Sequence, residues 1–243
     1  LKELGPGYIR GDGEAVGISF AIDGYENYFP FAHESGFNFS KKKVLEFTKK
    51  ICATDSDKIF HNSTYDVGWL THHGVPINGR IIDTMIVAPL IDENQFWYSL
   101  NALGREYINE GKSEGELSAA AEEWGLDPKA DMWRLPSAYV GTYATQDAAL
   151  TLKLWNHFKI LLEEQNLWNI FDLEMKVLPV VLAMKQQGVR VDVQRAESLK
   201  KELVKREKTI LKKIKEESGV TEMQLWAANS LAKVFDALEL TYL

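Results

Sequence analysis

A chain of 243 residues with 45% hydrophobic content can bury a sizeable core, enough for one large domain or a domain plus part of another. Its single cysteine, Cys52, excludes an internal disulfide framework and any cysteine-built zinc site and points to a reducing, intracellular compartment, and no apolar run approaches a membrane span. The net charge of −7 is uneven: residues 1–163 carry 15 Lys and Arg against 23 Asp and Glu, residues 164–243 carry 13 against 12, and so acidic a first part binds phosphate backbones poorly unless divalent metals neutralise its carboxylates.

Residues 1–14, with Gly5, Gly7, Gly11 and Gly13, read as a loop, and no strand precedes the glycines to make them a phosphate cradle. The apolar run 15–22 predicts a strand, Gly24 a turn, and the alternation from Tyr25 to Phe31 a second strand, so the pair forms a hairpin. Ser40 caps a predicted helix that runs to Cys52, with Val44, Leu45 and Phe47 opposed to a solvated lysine face. A short strand over 58–61 leads into a helix over 64–73 that Gly74 ends, and a strand end over 80–83 leads into a helix over 84–90. Two more helices follow over 99–108 and 115–124, then a long one after Pro136. Strands alternating with helices predict a three-layer α/β domain with a mixed sheet. Beyond residue 163 the pattern turns helical, over 167–187 with a kink at Pro179 and over 193–217, with only Val189-Arg190-Val191 as a strand-like interruption. Residues 200–215 hold eight Lys and Arg against two Glu, either a solvated face or a track for a nucleic-acid backbone. The domain boundary is placed near residue 164.

Three acidic positions stand out. Asp66 follows the strand-to-helix turn His61-Asn62-Ser63-Thr64-Tyr65, where α/β sheets present functional side chains, although a carboxylate at a helix start is also a simple capping charge. Asp83 closes the next strand and is either a functional acid or the N-cap of the helix that begins at Thr84. Tyr143 and Asp147 are four residues apart on the long predicted helix, so phenol and carboxylate share one face, as do Asn62 and Asp66.

Asn62-Ser-Thr-Tyr65-Asp66 and Tyr143-Ala-Thr-Gln-Asp147, about 80 residues apart, resemble the second and third motifs of the DEDD-type 3'–5' exonucleases with a tyrosine in the third motif. Val16 to Ala21 and Asp83-Thr84-Met85 resemble strand motifs of the proofreading domain in family A, DNA polymerase I-like, polymerases, and Ser99 to Leu103 the helix that follows. Glu174 to Asp192 is similar to the segment that opens the polymerase domain there, and Asn229-Ser230-Leu231 with Phe235 and Leu238 is imperfectly similar to a later stretch.

That resemblance implies a ribonuclease H-like exonuclease domain over 1–163 and the first thumb helices of a polymerase domain over 164–243. It implies hydrolysis of a phosphodiester at DNA 3' ends by two divalent ions, Mg²⁺ or Mn²⁺, in a bacterial or phage-infected cytoplasm with no membrane partner. Asp66 and Asp147 would be two of four metal-holding carboxylates, Tyr143 would orient the attacking water, and Asn62 and Tyr65 would meet the single-stranded 3' end, with duplex near the basic helix. The other two carboxylates should form an Asp-x-Glu on a first strand. Asp12-Gly13-Glu14 has those letters but sits in the Gly-rich loop, too close to the next strand, so that first strand is expected before Leu1. An RNase D-like RNA exonuclease and a catalytically inactive nucleic-acid-binding module are the competing readings.

Overall fold

The computed structural model describes residues 7–112, 115–221, 223–224 and 226–241. The parts of the sequence expectations that touch residues 1–6 and the chain's last two residues lie outside these. Two strands, β1 (Gly17–Ile22) and β2 (Tyr25–Pro30), pair antiparallel across the turn at Gly24, with Gly17 opposite Pro30. β3 (Lys58–Phe60) and β4 (Ile81–Asp83) pair parallel, with Phe60 opposite Asp83. Pairing of both senses, as expected for a mixed sheet, is thus present, divided between two two-stranded sheets among the described residues. The parallel register has a direct consequence for function: both strands end at one edge, so the turns into the two following helices lie side by side.

Residues 7–10, expected as loop, form a short helical turn, α1 (Gly7–Arg10). The helices that follow are α2 (Lys41–Cys52), α3 (Ser63–His72), α4 (Thr84–Ile91), α5 (Leu100–Ile108), α6 (Gly115–Glu123), α7 (Ser137–Glu164) and α8 (Trp168–Gln187). Ser40 stands at the N-cap of α2, but its side chain makes no capping bond. α7 is about 42 Å long at 1.5 Å per residue, and it serves two cores. Its Leu150, Leu154, Phe158 and Leu162, spaced by four, fall on one stripe and pack with Ile82, Val87, Leu103, Phe171 and Met175. Nearer its start, Val140 packs with Tyr28, Leu117, Ala121 and Leu135. Because Phe171, Met175, Leu178 and Leu182 of α8 join the first core, the compact unit runs to Gln187. The boundary expected near residue 164 falls between α7 and α8.

The start of α7 is fixed by a buried polar relay. Burial lowers the His33 pKa, so the imidazole is neutral. Since the Leu135 carbonyl can only accept, His33 Nδ1 donates to it at 3.0 Å, which leaves Nε2 to accept from the Tyr28 phenol at 2.7 Å. The Tyr28 ring in turn lies against Gly17 across the hairpin, where only a hydrogen fits: a Cβ there would sit 2.1 Å from the phenol oxygen.

The second unit, Gly188–Leu243, contains α9 (Val193–Ser218) and α10 (Ala228–Ala237). Asp192 caps α9 by accepting from the Arg195 N–H at 2.9 Å, and Gly219, at φ 71°, ends it. α9 has no buried residue, so its lysines are solvated. Val189-Arg190-Val191, the strand-like interruption, is not a strand. Val189 and Val191 are exposed, and without a partner strand an extended segment gains no ladder.

Gly17→Ala is expected to cost about 1–3 kcal/mol, the range for overpacking, because the new methyl must displace the Tyr28 ring from its bond to His33. Urea denaturation of the metal-free protein measures it, and Gly24→Ala, where the space is open, should leave the Tyr28 relay intact.

Candidate active site

Asp83 organises the edge where β3 and β4 end. Its carboxylate is buried, 2% exposed, and accepts four hydrogen bonds. The N–H groups of Asn62 and Met85 donate to Oδ1, both at 2.9 Å, and the N–H and hydroxyl of Ser63 donate to Oδ2, both at 2.7 Å. One side chain thus caps α4, on its own segment, and α3, whose local N-cap residue Asn62 makes no side-chain cap. Of the two readings of Asp83, the structure selects the cap. With its acceptors filled by protein donors, it has little to offer a metal ion.

His61 locks the same edge. The Thr84 hydroxyl donates to the Phe60 carbonyl at 3.1 Å, so it accepts from His61 Nδ1 at 2.9 Å. Burial lowers the His61 pKa to about 4, and although the Asp83 charge opposes this, the imidazole is neutral at physiological pH.

Asn62 adopts the left-handed conformation, φ 66°, which Asn tolerates better than most residues, and its amide oxygen accepts from the Thr64 hydroxyl at 3.1 Å. Tyr65 is half exposed, with its ring edge-on to Trp69 at 6.5 Å. Asp66 lies in the first turn of α3, where a helix dipole would favour its charge. Its pKa is nevertheless pushed up to about 7. Crowding of the carboxyl by surrounding protein is the largest cause, although the residue is exposed as a whole, and the negative charges of Asp83 and Asp147 add to it. Asp66 therefore does not behave as a stabilised capping charge. It sits in a field of carboxylates that a bound proton or a cation relieves.

Tyr143 and Asp147 share one face of α7, as their spacing requires. A residue with no motif or spacing signal joins them: Lys112, in the segment after α5. Its ammonium donates to Asp147 Oδ2 at 2.5 Å and to Tyr143 Oη at 3.2 Å, 5.0 Å from the centre of the Tyr143 ring. Burial lowers the Lys112 pKa, but the bond to Asp147 more than offsets this and holds it above the usual lysine value, so the ammonium persists. Burial and the Asp147 charge raise the Tyr143 phenol, which keeps its proton. Lys112 lacks a periodic or motif signal; a lone lysine in an acidic, Gly-containing connection looks solvated until the fold brings it to α7.

The structure therefore brings Asp66, Tyr143 and Asp147 into one electrostatic neighbourhood, with Asn62 and Tyr65 flanking Asp66 on α3. Asp12 and Glu14 are committed elsewhere. Asp12 pairs with Arg10 at 2.7 Å, and Glu14 with Lys41 at 2.8 Å and with His73 at 3.2 Å, seven residues beyond Asp66. Among the described residues, no three metal-ligating side chains gather at one point.

Residues 7–163 match a family model described as the 3'–5' exonuclease of family A DNA polymerases. A DNA-directed DNA polymerase of Pseudomonas phage M6 is 34% identical over 90% of this chain and 34% of its own length. DNA polymerase DpoZ of Vibrio phage phiVC8 is 31% identical over 76% and 33% respectively, and DNA polymerase I of Pseudomonas aeruginosa 26% over 74% and 20%. The chain thus spans about a third or less of these relatives. Among solved structures, a nuclease in its apo form superposes with a TM-score of 0.50 at 16% identity, over 68% of this chain and 72% of that one. The polymerase domain of Pol1 from M. smegmatis, complexed with DNA primer-template and dNTP, gives 0.59 at 18%, over 90% and 34%. Both likenesses concern the fold, and with the family match they make the first unit a ribonuclease H-like exonuclease fold.

Two outcomes follow for the metal-free protein. Unfolded, Asp66 releases its proton near pH 4; folded, it holds it to about pH 7. At this group the folded state then holds the extra proton between these values, so the Asp66 contribution to stability falls as pH rises from about 4 to about 7 and levels off above, while the buried His61 contributes a slope of the opposite sign up to the ordinary histidine range. Thermal denaturation in a chelator should show the stability of wild type relative to Asp66→Asn declining across this window. Asp83→Ala, which strands four donors, is expected to cost on the order of 3 kcal/mol by urea denaturation.

Proposed function

The chain belongs to the family of 3'–5' exonuclease domains of family A DNA polymerases, and on that premise we propose that it removes nucleotides from DNA 3' ends as the proofreading activity of a longer DNA polymerase. The observation that carries this reading is the placement of Tyr143 and Asp147 on one face of α7 with Asp66 within their electrostatic reach, inside the span that the family model covers. The match that ends at residue 163 supports an exonuclease domain over 1–163. The phage polymerase similarity that continues over 90% of the chain supports 164–243 as the start of a polymerase domain, with the solvated lysines of α9 near duplex DNA. The phage and bacterial relatives support a place in a bacterial or phage-infected cytoplasm. Among the described residues no helix is long and apolar enough to cross a membrane.

The donor set fits divalent ions in part. Asp66 and Asp147 offer hard oxygens, the raised Asp66 pKa reports negative charge that lacks compensation, and the Lys112 ammonium already rests where a cation is favoured. Asp66 and Asp147 would hold Mg²⁺ or Mn²⁺; such ions, when bound, supply an activated water and a stabilised leaving 3' oxygen. The chain's own residues do the rest. The Tyr143 phenol, protonated at physiological pH, is positioned to hydrogen-bond the attacking water and set its angle. Asn62, held in the left-handed conformation, presents its amide to the terminal nucleotide, and the exposed face of Tyr65 is open for a base to stack. An unpaired end reaches such a site more easily than a paired one, because stacking on protein replaces stacking it has already lost.

In the full-length protein, 5'-labelled single-stranded DNA incubated with Mg²⁺ should shorten from its 3' end, and Asp147→Ala should reduce this to background with little change in circular dichroism. Trimming of RNA with DNA spared would favour the RNA exonuclease reading. DNA binding without cleavage in Mg²⁺ or Mn²⁺ would leave a binding module in its place.

A further inference from the structure

We propose that Lys112 is the resident counter-cation of this site: its ammonium holds Asp147 and Tyr143 in place before metal arrives and competes with the divalent ion for the Asp147 carboxylate. The proposal rests on the metal-dependent reading above.

An exposed lysine that meets a carboxylate contributes little and forms readily anywhere on a surface. Lys112 differs because the backbone that delivers it is held on two sides. From α5, the Asn101 amide oxygen accepts from the Lys112 N–H at 2.9 Å, and the Gly104 carbonyl accepts from the Glu110 N–H at 3.1 Å. From α7, the Gln146 amide donates to the Gly111 carbonyl at 3.1 Å, and the Lys153 ammonium pairs with Glu110 at 2.7 Å. Gly111 is pressed against α5 so closely that a Cβ would lie 2.8 Å from Arg105 Nε and 3.0 Å from Asn101 Oδ1. The lysine and aspartate side chains keep only 16% and 25% of their surface exposed.

An ammonium is a compact point charge with three donors, two of which are spent here on Tyr143 and Asp147. It neutralises half the charge a divalent ion would, and an ion bound at Asp147 Oδ2 would need the same oxygen. Loading the ion must therefore break the Lys112–Asp147 pair, and the apparent metal affinity is lowered by what that pair contributes. In return the metal-free site is spared the full repulsion between Asp66 and Asp147.

Calorimetric titration of the full-length protein with MnCl₂, without DNA, tests this on wild type, Lys112→Met, Lys112→Gln, Lys112→Arg and Asp147→Asn. The expected result is about tenfold tighter Mn²⁺ binding by the Met and Gln variants, a shift that corresponds to one modest ionic pair, and wild-type-like binding by the Arg variant, which keeps the competing charge. The Met and Gln variants should also melt lower without metal and gain more in Tm on its addition. A merely structural lysine would lower affinity when removed, so unchanged or weaker Mn²⁺ binding in both uncharged variants overturns the proposal. If wild type shows no Mn²⁺ site that Asp147→Asn removes, the metal-dependent reading itself falls.

Discussion

The buried carboxylate of Asp83 is the constraint from which the site is built. Two parallel strands that end together leave two helix starts with unpaired N–H groups at one edge, and only the start of α4 supplies a side-chain cap of its own. Asp83 satisfies both, and so fixes the distance and angle between α3 and α4. Asp66 takes its place from α3, and α4 packs on α7, so the relation of Asp66 to Asp147 is inherited from a residue that need not touch metal or substrate. Acidity at a strand end thus has two uses in this fold, and only hydrogen-bond saturation separates them.

Most of the helices and strands were legible because their signals are local. The four-residue spacing of Leu150, Leu154, Phe158 and Leu162 dictates α7, and the apolar run before Gly24 dictates the hairpin. Tyr143 and Asp147 were legible for the same reason: one face of one helix is a local property. What the sequence could not carry was tertiary. The Asp83 cap on α3 joins residues about 20 positions apart, and the Lys112 contact with Asp147 spans 35. Asp83 had two readings until its donors were counted, and Lys112 had none. Val189 to Val191 shows the converse error, where a local preference for extension met no partner strand. Residues 7–10 show a helical turn where glycine density argued for loop, with the Tyr8 ring packed on Gly68 and edge-on to Trp69.

The charge of the first unit also takes on a local meaning. An acidic domain must answer its own field, and here the answer differs from one carboxylate to the next. Asp83 is answered by backbone dipoles, Asp147 by an ammonium, Asp12 and Glu14 by surface cations, and Asp66 by a raised pKa. Ranked this way, Asp66 is the carboxylate with the most to gain from a divalent ion.

The two cores along α7 have a mechanical corollary. Tyr143 and Asp147 lie on the span between Val140, anchored in one core, and Leu150, anchored in the other. A helix end can fray while the rest of a protein stays folded, but a span clamped at both ends can open only when one core lets go. The amide hydrogens of residues 143–147 should therefore exchange with water on the timescale of subglobal or global unfolding rather than local fluctuation. Functional side chains are often carried on loops that breathe; here the helix beneath the candidate pair is as rigid as the core itself.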